Sequence, residues 1–271
     1  MATLIIEPGR GVRTYWRDLW RYRELMYFLA WRDLAVRYKQ TAIGVAWALI
    51  RPALTMLVFV MFRRFVGLQS TAVPDAVLVL AAVLPWQFFS AALTDSSGSL
   101  IANTNLISKI YFPRLIVPLA AVVTALADFV ITLGLLAVLM MVEGVTPGWQ
   151  LIWLPPLVVL TFALALGAGF LLAALNVSYR DFRYVVPFIV QFGLFVSPIA
   201  FTTAQVPERW RLWFMLNPLV GIIDGFRWSI LGGRSPLDAR GLIVSVAVTG
   251  ICLFAGLWYF RRVERAFADV I

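Results

Sequence analysis

Long apolar runs, separated by short polar clusters, dominate the chain from residue 42 onward. A hydrocarbon core about 30 Å thick asks for about 20 apolar residues at about 1.5 Å of helical rise each. Five runs meet that demand, 42–62, 76–93, 115–142, 151–175 and 242–260, and only Arg51 and Asp128 interrupt them with charge. A sixth, 185–201, is shorter and contains Pro187 and Pro198 but no charged residue. Its prolines are tolerable where neighbouring helices and water satisfy the freed backbone groups. The pattern predicts an all-α membrane protein with six transmembrane helices, organised as an arm over 1–41 and one membrane domain over 42–271.

The stretch 212–231 is apolar at both ends but broken by Asn217, Pro218, Gly221 and the run Asp224, Gly225, Phe226, Arg227. A full span would bury that charge pair. Asn followed by Pro makes a good N-cap and first helical position, so the reading here is two re-entrant half-helices between spans 5 and 6. A seventh span is the alternative.

In the arm, aromatic and leucine residues alternate with arginines over 14–40, and Trp16, Leu19 and Trp20 have the i, i+3, i+4 spacing of one helical face. Tryptophan and tyrosine favour the headgroup level and arginine attracts anionic lipid, which predicts an N-terminal amphipathic interface helix. Packing on another protein domain would use the same face. In the connection 94–114, Leu106, Ile107 and Ile110 share a face, predicting a short helix at the membrane surface. The connection 176–184 is a second compact polar turn, and either fits an ordinary solvated loop as well. Ala165, Gly169 and Ala173 form a small-residue stripe that permits close helix approach, within one chain or between two.

Composition changes the picture by exclusion. Of 271 residues, 62% are hydrophobic and 14% charged, too few charges to coat a soluble domain of this size. Histidine is absent and Cys252 is the one cysteine, which removes intrachain disulfides, the usual zinc sites and His-dependent nucleophilic catalysis. The two lysines, Lys39 and Lys109, follow Tyr38 and Ser108, so no Walker phosphate loop is present. The net charge of +9 is divided unevenly. Six spans place 15 basic residues on the side of the termini and 7 on the other, predicting cytoplasmic termini. The first ten residues contain Glu7 and Pro8 and no apolar stretch long enough for a secretory signal. No short-period repeat or low-complexity linker is visible.

Four ordered segments carry a resemblance. They are RYKQTAIGVAWALIRP from Arg37 to Pro52, NTNLISKIYFPR from Asn103 to Arg114, LNVSYRD from Leu175 to Asp181, and NPLVGIIDGFR from Asn217 to Arg227. Together they resemble ABC-2 type permeases that export polysaccharides, in particular the membrane subunits for O-antigen, capsular polysaccharide and teichoic acid export. The resemblance implies a homodimer joined to two copies of a separate cytoplasmic ATPase, which binds the ATP and Mg that this chain has no motif to hold. It places an ATPase-coupling helix at Asn103, Asn105, Leu106, Lys109, Tyr111 and Arg114, with a second contact at Tyr179, Arg180 and Asp181. It makes Pro207, Asn217, Pro218, Asp224 and Arg227 part of an outer gate. The implied substrate is a polysaccharide on a polyprenyl diphosphate carrier, O-antigen above all. Arg37, Lys39 and Arg51 suit a diphosphate headgroup, and Trp47, Trp86, Phe88 and Phe89 are candidate sugar-facing surfaces, with lipid contact or packing as the plainer reading.

Arg51 and Asp128 stand out on their own terms, because a lone charge deep in a bilayer costs on the order of 3 kcal/mol or more. At about 14 and 20 Å from the cytoplasmic ends of their spans, their depths lie within side-chain reach, so a pair is the hypothesis. Snorkelling of Arg51 and protonation or helix bonding of Asp128 are the alternatives. Two rival functions remain at this stage. An ABC-2 permease for a drug or small lipophile would share the same layout. A membrane-embedded lipid-linked sugar transferase would ordinarily cluster its acids, whereas Glu24, Asp33, Asp95 and Asp181 are dispersed along this chain.

Overall fold

The structure, a computed structural model, describes residues 12–39, 46–68, 73–179, 181–264 and 267, apart from the side chains of 12–14. Every regular element among the described residues is helical. In chain order they are α1 (Val12–Arg21), α2 (Arg23–Lys39), α3 (Ala46–Val66), α4 (Asp75–Ala102), α5 (Thr104–Lys109), α6 (Ile116–Val142), α7 (Leu154–Ser178), α8 (Phe182–Val196), α9 (Glu208–Met215), α10 (Pro218–Ile230) and α11 (Ala239–Val263), with tight turns at Trp149–Trp153 and Thr203–Gln205. Five helices are long and apolar enough to cross a membrane: α3, α4, α6, α7 with its preceding turn, and α11. At 15 residues α8 is shorter. Ser197 and Pro198 end it where the hydropathy pattern predicts continuation to 201.

The centre of the bundle is α4, which packs against α3, α6, α7, α8 and α10. Its residues from Val77 to Trp86 are buried without interruption, so it reads as continuously apolar where the peripheral helices keep an open face. The expected loop 94–114 is corrected in its first third. Helix α4 runs on through Thr94 to Ala102 because Ser96, Ser97 and Ser99 are small and buried and return their hydroxyls to carbonyls of the preceding turn. The small-residue stripe of α7 belongs to this chain's own packing: a side chain on Gly169 would run into Ser96 of α4. On the other side α7 meets α11 backbone to backbone, a Cβ on Gly256 falling 2.1 Å from the Gly167 carbonyl oxygen.

The connections gather at two ends. One end joins Arg114 to Glu264, Arg32 to Asn103 and Asn176 to Ser97. The other brings Arg63 to Leu68 and Ala200, and Ser229 to Gln150. At the first end the arm forms two helices, broken at Tyr22. Leu29 is buried against the bundle, with Tyr15, Leu19, Leu25 and Met26 packed beside it, while Trp16, Trp20, Tyr27, Phe28 and Trp31 are exposed. The arm thus spends one face on its own bundle and leaves an aromatic face open.

Candidate functional site

A cleft of about 470 Å³ opens between the end of α2 and helices α3, α4, α6 and α8. Of the residues singled out as headgroup or channel candidates, it gathers Arg37, Trp47, Arg51, Phe88 and Asp128. Trp86 and Phe89 lie elsewhere, buried in the core, where Trp86 packs over Gly193. Lys39 is exposed and outside the lining.

Helix α2 lies along α6, the Thr124 hydroxyl reaching the Ala30 carbonyl. Two turns further on, the Arg37 guanidinium enters the cleft and donates at 2.5 Å to Asp128 and at 2.5 Å to Asp95. The Tyr38 hydroxyl donates to the other oxygen of Asp128. One cation therefore bridges two carboxylates from α4 and α6. Burial works against the Arg37 charge, but the two carboxylates outweigh it and hold its protonation more firmly than usual. Burial, then the hydrogen bond to Asp128 and its charge, raises the Tyr38 phenol above its ordinary range.

The expected pair between Arg51 and Asp128 is not made. The depths agree, and both residues line the same cleft, but α2 supplies the partners of Asp128. Arg51, although it lines the cleft, is exposed and forms no ion pair among the described residues. Asp95 and Tyr38 escaped the sequence reading. A carboxylate one turn past an apolar run was a signal for Asp95, had α4 been extended. Nothing in Tyr38 itself marked it.

At the end of the bundle where α1 begins and α11 closes, α5 is held rather than free. Asn103 precedes it, donating to Ser99 and accepting from Arg32 at 2.9 Å, and Ile107 is buried with Leu106 packed beside it. Asn105, Lys109 and Tyr111 stay exposed, as do Tyr179 and Asp181. Arg180 lies outside the described residues. Glu264, which the sequence did not flag, ties three segments together. It accepts from the Arg114 backbone N–H at 2.8 Å and from the Tyr15 hydroxyl at 3.0 Å, and its own carbonyl accepts from the Arg114 side chain. Burial pushes its carboxyl above the ordinary glutamate value.

At the opposite end the Asn217 side chain caps α10 by accepting from the Leu219 N–H at 3.1 Å, with Pro218 next, as the sequence pattern requires. Pro207 stands at the N-cap of α9, without a side-chain capping bond. The two short helices α9 and α10 replace one long span. Asp224 and Arg227 do not pair with one another. Arg227, with no exposed surface, donates to the carbonyls of Leu78, Ile199 and Phe201 at 2.8–3.1 Å. Arg63, 2% exposed, takes the Ala200 carbonyl between them and also holds Asp75. Two buried guanidiniums thus grip three successive carbonyls after α8.

Comparison with known proteins now bears on this geometry. Residues 24–231 match the model of the ABC-2 type transporter family. The O-antigen export system permease protein RfbA of Myxococcus xanthus is 30% identical over 94% of this chain and 98% of its own length. A protein of the same name from Klebsiella pneumoniae is 27% identical over 92% and 95%. The polysialic acid transport protein KpsM of Escherichia coli is 24% identical over 87% and 92%. The matched region takes in the α2 end, the cleft, α5 and the capped α10, and the chain belongs to the ABC-2 type transporter family.

Proposed function

We propose that this chain is the transmembrane permease subunit of an ATP-driven exporter that carries a polyprenyl-diphosphate-linked polysaccharide, most specifically O-antigen, across the bacterial inner membrane. The observation that carries the reading is end-to-end similarity to permeases named for O-antigen export, over 94% of this chain. The subunit works as a homodimer with two copies of a cytoplasmic ATPase, which hold ATP and Mg; this chain is not itself an enzyme. Both termini are cytoplasmic. Helix α8 is the fifth of six crossings: at about 22 Å it falls short of the hydrocarbon core alone, and the non-helical residues 197–201 complete it.

The parts divide the work accordingly. Helix α5 with its exposed Asn105, Lys109 and Tyr111, and the turn at Tyr179, Arg180 and Asp181, seat the ATPase. Movement there passes through Arg114 and Glu264 to the arm and α11 as a rigid-body displacement. In the cleft, Arg37 is neutralised by its two carboxylates, so the unpaired Arg51 guanidinium is the group that meets the diphosphate, with Trp47 beside it for the sugar. Helices α9 and α10 re-enter from the outer side and form the gate.

The test is purification of the tagged chain in mild detergent from cells carrying its chromosomal neighbours. A stoichiometric ATPase whose hydrolysis rises with lipid-linked glycan is expected. Absence of any ATPase after crosslinking through Lys109 would overturn the assignment.

A further inference from the structure

A second cleft, of about 300 Å³, lies at the end of the bundle where α8 gives way to α9 and α11 begins. Its polar wall is formed by Thr203, Arg211, Asp224 and Asp238. Asp224 is 4% exposed and Thr203 5%. Arg227, one turn along α10 from Asp224, is committed to backbone carbonyls, and Asp224 makes no ion pair among the described residues. The Thr203 hydroxyl lies beside the Asp224 carboxylate, and its buried oxygen makes no hydrogen bond of sound geometry. Arg211 gives one terminal nitrogen to the Val206 carbonyl at 3.2 Å and leaves its Nε buried and unpartnered. Asp238 uses one oxygen to cap α11 through the Arg240 N–H, keeping the other.

Buried donors and acceptors without partners cost free energy, and here two, the Arg211 Nε and the Thr203 hydroxyl, face one space. A guest that repays them must both donate and accept. Two carboxylates against one guanidinium leave the lining net negative, which disfavours phosphates and carboxylates. A metal ion is poorly served too: no group of three metal-ligating side chains occurs among the described residues, and Arg211 would repel a cation. A neutral polyhydroxylated ring fits both demands, its hydroxyls donating to Asp224 and Asp238 and accepting from Arg211 and Thr203, with Pro236 and Leu237 as an apolar wall. The volume is at the lower end of small-molecule sites, about 300–1,000 Å³, which limits the guest to a single ring.

We propose that this cleft is a saccharide-binding subsite that takes one sugar residue on the α9–α10 side of the bundle. As a station for exported glycan it rests on the export reading above; as a sugar site it does not. The experiment is saturation-transfer NMR on the purified full-length chain in nanodiscs, with the copurifying ATPase present, using methyl glycosides of glucose, galactose, mannose, rhamnose and N-acetylglucosamine as probes. Transfer to at least one glycoside is expected, reduced several-fold in Thr203→Val and Asp224→Asn. Because Asp224→Asn alone can fail to fold, Ala204→Trp is the second variant: it blocks the cleft from its exposed rim and should abolish transfer while the folded fraction stays normal. Absence of transfer to every glycoside, or equal transfer in Ala204→Trp, overturns the proposal, as does saturable calcium or manganese binding lost in Asp224→Asn without sugar binding. Transfer without an ATPase partner would sink the export reading and spare the subsite; an ATPase partner without transfer would do the reverse.

Discussion

Asp128 lies about 18 Å along α6, and the charge it brings is answered by Arg37 and Tyr38 from α2, 90 residues earlier in the chain. Since Arg37 also serves Asp95, its removal strands two carboxylates at once. A buried pair broken in this way costs about 3–5 kcal/mol, but these groups are about one-third exposed, and solvent reduces the expected loss to about 1–2 kcal/mol. Arg37→Ala should therefore lower the thermal midpoint in detergent more than Arg51→Ala, whose exposed guanidinium holds nothing in place. Adding Asp95→Asn should recover part of the loss; no recovery would mean that Arg37 acts through something other than this bridge. Glu264 gives a pH prediction of opposite character. Burial raises its folded pKa above the ordinary 4.5, so its contribution to the folded state is complete below that value and is lost as pH rises through the folded one. Protonated Glu264 still accepts from Tyr15. The thermal midpoint in detergent should fall as pH rises through that window, and Glu264→Gln should flatten that part of the response.

Between α8 and α9 the chain leaves helical geometry, and its carbonyls must find donors that the sequence does not place nearby. Arg63 and Arg227 supply them from α3 and α10, and Arg227 also reaches α4 through Leu78. Arg227→Met would leave three carbonyls unmet at roughly 1 kcal/mol each, and Arg227→Lys keeps the charge but lacks the fork that reaches three acceptors. Both should open 197–207 to protease, methionine more than lysine; unchanged cleavage would show that the segment is held by other contacts. The elements themselves were largely legible in the sequence because membrane thickness sets a length that an apolar run either meets or misses, and because Asn217 and Pro218 announce the start of α10. The boundary of α4 was not legible. Thr94, Asp95 and the serines read as loop by polarity, yet Thr94 and the serines return their hydroxyls to the helix's own carbonyls, and Asp95 is met by Arg37. Nor was the partner of Asp128, since hydropathy gives depth along a helix but not which face looks at which neighbour.

At the scale of the whole molecule, the α2 end closes one wall of the large cleft while α1, at the other end of the arm, is fastened to Glu264 and so to Arg114, just beyond α5. A push on α5 thus has a path to the cleft that runs along the arm, from Tyr15 to Arg37. If the arm must shift for a diphosphate headgroup to enter beside Arg51, then fixing α2 to α6 should stop transport without dismantling the assembly. Ala30 and Thr124 are close enough to bond and lie away from the cleft lining, which makes Ala30→Cys with Thr124→Cys, in a Cys252→Ala background, a suitable lock. Oxidation should abolish glycan-stimulated ATP hydrolysis while copurification of the ATPase is unchanged, and reduction should restore it. Full stimulation in the oxidised, crosslinked protein would show that α2 stays on α6 throughout the cycle, leaving α11 as the remaining route by which Glu264 could pass on the movement of α5.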